Sequence, residues 1–168
     1  NLISSGLFGD GAAAAVIVGG ERSEPGAEVA ASRSIFYPDT ERVMGWDISE
    51  RGFAIVLSSE VPDLVRRRLP GDVDAFLADH GLGREDIAAW IAHPGGPRVL
   101  EAMTEALELP GDALAGAWDT LQRHGNLSST SVLLVLEQAL PQQRSGRLGL
   151  MTAMGPGFCS EFVLLRFR

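Results

Sequence analysis

Short apolar runs alternate with longer amphipathic stretches along this chain, and that alternation admits few folds. Residues 12–18 form a small apolar run after the turn signal Phe8-Gly9-Asp10-Gly11 and read as a buried strand closed by Gly19-Gly20. Further strands are predicted at 28–37, at 53–57 and at 87–92, the last running into His93. Helical periodicity marks about 60–69, where Pro62 falls in the first turn, and then 72–80, stopped by Gly81. Helices also fit 98–107, 113–123 and 128–140, the last two ended by Gly125 and Pro141. Two strands, 147–153 and 160–166, flank Gly155-Pro156-Gly157. Helices separated by single strands, with two strands to finish, predict an α/β fold in which helices cover a mixed sheet. No repeat or long linker divides residues 1–168, so they are read as one domain.

Composition narrows the function classes. A net charge of −8 argues against a nucleic-acid binder, because phosphate backbones select clustered Lys and Arg. The one basic cluster, Arg66-Arg67-Arg68 before Leu69-Pro70, reads as the solvated end of a helix. No apolar run reaches the roughly 18 residues of a membrane span, and the single cysteine fits a reducing cytoplasm without a disulfide framework. Asn1-Leu2-Ile3-Ser4 resembles neither an initiator methionine nor a signal peptide, and reads like the middle of a longer polypeptide.

Two polar residues stand where chemistry could be done. His93 lies where a strand gives way to Pro94-Gly95-Gly96-Pro97 and then a helix. The glycines let a ligand approach the backbone, and the helix start offers free N–H groups. An imidazole there can donate to a developing oxyanion or help ionise a thiol, although a histidine before a turn is also a common structural residue. Asn126, in Gly125-Asn126-Leu127-Ser128-Ser129, is either a helix cap or a neutral amide able to hold a carbonyl or enolate oxygen. Asp10 reads as a turn residue, since no phosphate-loop lysine follows it. The three histidines and Cys159 show no zinc-ligand spacing, so no metal is expected. Cys159 follows Gly-Pro-Gly at the start of a strand and reads as a small buried thiol rather than the nucleophile of a Cys-His-Asn hydrolase.

Several stretches together resemble type III polyketide synthases of the chalcone and stilbene synthase family. They are Leu7-Phe8-Gly9-Asp10-Gly11-Ala12-Ala13-Ala14, His93-Pro94-Gly95-Gly96-Pro97, Gly125-Asn126-Leu127-Ser128-Ser129 and Gly155-Pro156-Gly157-Phe158. The resemblance covers essentially the whole chain and implies the C-terminal half of a thiolase-like fold. It implies that His93 and Asn126 are two members of a Cys-His-Asn triad acting in decarboxylation of malonyl-CoA and Claisen condensation onto an acyl-CoA. Phe8 and Phe53 would gate the cavity, Gly95, Gly96 and Arg98 would follow the CoA arm, and Ser128 with the loop near Gly45-Trp46 would shape the cavity. CoA thioesters would be substrates, with no cofactor. The nucleophilic cysteine would lie in an N-terminal half, the full-length protein would be a homodimer, and this chain alone would be inactive and prone to self-association. A ketoacyl synthase III or hydroxymethylglutaryl-CoA synthase is the nearest alternative, but the former typically carries His-Gln-Ala-Asn in place of His93-Pro94-Gly95-Gly96. A non-catalytic binding or scaffold half-domain is the alternative from a different class.

Overall fold

The computed structural model describes residues 6–22 and 24–168. Its centre is a four-stranded sheet built from β1 (Ala27–Phe36), β4 (Ile87–Ala92), β5 (Leu148–Gly155) and β6 (Cys159–Phe167), in the order β1-β6-β5-β4. β4 and β5 run parallel, while β6 is antiparallel to both β5 and β1, so the sheet is mixed, as the sequence predicts. A separate hairpin of β2 (Met44–Ser49) and β3 (Gly52–Leu57) stands beside it. The strand at 44–49 is not foreseen, although Met44, Trp46 and Ile48 alternate with Gly45, Asp47 and Ser49 in the two-residue period of a strand.

Four helices flank the sheet: α1 (Val61–Ala78), α2 (Pro97–Ala106), α3 (Ala115–His124) and α4 (Ser129–Ala139). α1 and α2 pack together, and α4 lies on β4 and β5. On β6, Ser160, Phe162 and Leu164 are buried with Glu161 exposed and Val163 half-buried between them, a period of two that shifts at Leu164-Leu165, after which Leu165 and Phe167 are buried and Arg166 is exposed. Phe76 of α1 stacks on Phe162 with ring centroids 5.8 Å apart, joining helix to sheet.

Three expectations are corrected. Residues 12–18 form no strand: Val16 is 92% and Ile17 86% exposed. An apolar run becomes a buried strand only where a sheet receives it, and no described strand pairs with this one. The predicted break at Leu69-Pro70-Gly71 does not occur, and α1 runs through Pro70. Leu69, Val73, Phe76 and Leu77 keep the apolar spacing across the proline, so burial on one face outweighs the lost backbone bond. Arg66-Arg67-Arg68 therefore sits inside α1 rather than at its end, with Arg66 paired to Glu105 and Asp63.

Among the described residues, no helix is long and apolar enough to cross a membrane.

Candidate active site

β4 delivers His93 to the site. The His93 N–H donates to Thr152 O on β5 at 2.8 Å, fixing the strand end, and the Gly95 N–H turns back to His93 O at 2.9 Å. α2 then starts at Pro97, where a missing N–H costs nothing, with Gly96 O accepting from both Val99 and Leu100. A Cβ on Gly95 would lie 3.6 Å from His93 Cδ2, so the glycine backbone lies close against the imidazole edge.

Asn126 arrives from the opposite direction, between α3 and α4. Its N–H donates to Leu7 O at 2.8 Å, and its own carbonyl accepts from Gly9 N–H at 3.0 Å, a short parallel bridge to Phe8. Gly125 makes this approach possible: its φ is +72°, and a Cβ there would sit 2.7 Å from Leu7 O. The Asn126 side chain is held at both ends. Its Oδ1 accepts from Ser128 N–H at 2.8 Å, and its Nδ2 donates to Gly95 O at 3.1 Å. One Nδ2 proton is left for a ligand. The N-cap of α4 is Ser128 rather than Asn126, and the two Asn126 side-chain bonds tie the residue before that cap to the loop after His93.

His93, Asn126, Phe8, Gly95, Gly96, Arg98 and Ser128 all line one largely apolar cavity of about 490 Å³. Gly45 and Trp46 join them. Phe53 does not: it is 71% exposed on β3, with its ring edge-on to Trp46 at 6.2 Å. Met44, Met154 and Pro156 complete the wall; methionine is a generic core residue, so nothing in its type marks it for this role. A second hollow of about 570 Å³, at the edge of β4 near Arg84 and Gln138, holds none of the predicted site residues.

The electrostatics favour a ligand oxygen carrying negative charge. The cavity is lined by residues at the N-terminal ends of α1 (Val61, Pro62), α2 (Pro97, Arg98) and α4 (Ser128). Each helix start presents unsatisfied N–H groups and partial positive charge. Burial pushes the His93 imidazole down to about 4, so it is neutral near pH 7, with one ring nitrogen carrying a proton it can donate. Its Nδ1 is buried without a hydrogen-bond partner among the described residues. Ser128, beside them, holds a φ of +56°, an uncommon conformation for a residue with a side chain.

Cys159 stays outside this arrangement. It does not line the cavity, and burial, with Glu161 nearby, pushes its thiol up. A poised thiolate needs the opposite shift. Among the described residues, no three His, Cys, Asp or Glu side chains converge as a metal site.

Comparison with known proteins decides the family. Residues 28–167 match the family of chalcone and stilbene synthases, C-terminal domain. The chain belongs to that family. It is 53% identical over 172 residues to a 1,3,6,8-tetrahydroxynaphthalene synthase of Streptomyces peucetius subsp. caesius, a match covering 99% of this chain and 46% of that protein. A putative chalcone synthase of Bacillus subtilis (strain 168) is 37% identical, with 98% of this chain and 47% of the relative covered. The crystal structure of 1,3,6,8-tetrahydroxynaphthalene synthase from Streptomyces coelicolor A3(2), a bacterial type III polyketide synthase, superposes with a TM-score of 0.81 at 28% identity, over 88% of this chain and 42% of that one. The chain therefore has the thiolase-like fold of the type III polyketide synthases, and it spans less than half the length of these relatives.

Proposed function

We propose that this chalcone and stilbene synthase domain supplies the oxyanion-holding half of a type III polyketide synthase. In the full-length enzyme, a homodimer, an N-terminal half brings the nucleophilic cysteine that carries the acyl group from an acyl-CoA starter. Malonyl-CoA then loses CO₂: its carbon–carboxylate bond breaks and the electron pair enters an enolate whose oxygen needs stabilising. The enolate carbon attacks the acyl thioester, a carbon–carbon bond forms, and the thiolate leaves. His93 Nε2–H and the remaining Asn126 Nδ2–H donate to the developing oxyanions, and neither carries a charge that would tie up the enolate. Phe8 gates the cavity, with Phe53 at the outer end of the Trp46 hairpin. Gly95, Gly96 and Arg98 follow the CoA arm, Arg98 as a phosphate contact, and Ser128 shapes the floor.

The Asn126 amide carries this reading. It is pinned at Oδ1 and at one Nδ2 proton in a cavity that also holds a neutral His93. A side chain locked in that way meets a transition-state oxygen without reorganising, which is where such donors gain their effect. The test is a steady-state assay of the full-length synthase with malonyl-CoA and an acyl-CoA. Asn126→Ala and His93→Ala should each lower kcat by about 10²–10³-fold with intact folding, and this chain alone should form no product. Wild-type turnover in either variant, or condensation by the chain alone, would sink the assignment.

A further inference from the structure

Part of the cavity wall comes from two segments far apart in sequence. One is the loop of Met154 and Pro156 between β5 and β6; the other is the start of the β2–β3 hairpin at Met44, Gly45 and Trp46. A strap at residues 37–44 ties them together. Tyr37 N–H donates to Phe158 O at 3.0 Å, and Gly157 N–H donates to Met44 O at 3.0 Å. Between these bonds sits the Thr40 hydroxyl. It donates to Tyr37 O at 2.6 Å and accepts from Phe158 N–H at 2.8 Å. Phe158 is 1% exposed, so without Thr40 its N–H would be buried and unpartnered. Tyr37 anchors the strap behind this point, its hydroxyl held by Asp72 of α1 and by Ser160, 3.0 Å away on β6.

We propose that Thr40 is a positioning residue for the size of the cavity, holding the Met154–Pro156 wall against the Met44–Trp46 wall and so setting how far a polyketide chain can grow. The inference rests on the condensing function proposed above. Repeated extension in a closed space ends when the chain fills it, so the spacing of the two walls governs where extension stops. Thr40 does not line the cavity and touches no substrate; it acts through Phe158 and the loop before it. No other side-chain hydroxyl of the strap reaches this amide.

The test uses the full-length synthase with Thr40→Val, which keeps the shape without the hydroxyl, and Thr40→Ser, which keeps the hydroxyl. Thr40→Ala leaves space for a water to reach the Phe158 amide, so it guards against simple failure to fold. In the valine and alanine variants the ratio of the longest product to shorter products should change by about tenfold, since the spacing of the walls is no longer fixed. KM for the starter should change less than about twofold, and serine should restore the wild-type ratio. A wild-type ratio in both the valine and alanine variants, or an equal change in the serine variant, overturns the proposal. Amide hydrogen exchange at Phe158 needs no activity: it should accelerate in Thr40→Ala and stay slow in Thr40→Ser, and unchanged protection in Thr40→Ala overturns the clamp itself. If wild-type enzyme forms no polyketide, the proposed function fails, while the exchange result still decides the clamp.

Discussion

His93 has a measurable consequence for stability. Its folded-state pKa lies near 4 against 6.5 for a free imidazole, because burial disfavours the cation. Above about pH 6.5 the ring is neutral in both folded and unfolded chains and contributes no pH dependence. As pH falls from 6.5 toward 4, the unfolded chain takes up the proton first, so stability is lost through that window and not below it. The loss should approach about 3 kcal/mol. Urea melts at pH 7 and at pH 4.5 should show it, and His93→Gln should flatten the difference; an unchanged slope would mean the ring is solvated. At this scale the sequence singled out His93 and Asn126 beside Gly- and Pro-rich turns, each with a structural alternative open, and both line the cavity. It was silent about Thr40, whose partner Phe158 lies more than a hundred residues away, and about Met154, whose residue type marks no site.

At the scale of elements, strands and helices bounded by Gly and Pro were largely legible, including β4, α2, α4, β5 and β6. Failures arose where tertiary packing overrode a local signal. Pro70-Gly71 says stop, yet the helix continues because Leu69, Val73 and Phe76 bury one continuous stripe. Pro70 therefore stands as a net local cost that packing outweighs. Pro70→Ala should stabilise the domain by about 2 kcal/mol, restoring a backbone donor and removing the clash with the preceding turn. Thermal unfolding would check this, and a lower melting temperature would show that the proline shapes a bend the packing needs. The opposite error, reading 12–18 as a buried strand, has the same root: period and composition state that a segment can be buried, not what will bury it.

For the whole molecule, this error becomes a prediction about behaviour. Val16 and Ile17 stand in solvent, and Ile48, Phe53 and Phe36 are also more than half exposed. Exposed large apolar side chains favour association where they form one patch. The chain by itself should self-associate in sedimentation velocity at micromolar concentration, and Val16→Lys with Ile17→Lys should shift it toward monomer. A monodisperse wild-type monomer at high concentration would count against this. The fold class was readable from the order of elements, because right-handed α/β packing leaves few alternatives. The cavity was not, because its walls are joined by the strap at 37–44 rather than by any contiguous motif.

The pairing of β1 with β6 has a bearing on how the protein is made. Among the described residues, β1 pairs in the central sheet with β6 alone, which follows it by well over a hundred residues. On a ribosome adding about 5–20 residues per second, β1 emerges roughly 6 to 25 seconds before the strand it needs. Through that interval its edge is open to any other strand nearby. The sheet can close only once β6 has cleared the exit tunnel, so nascent chains should stay bound to chaperones until then.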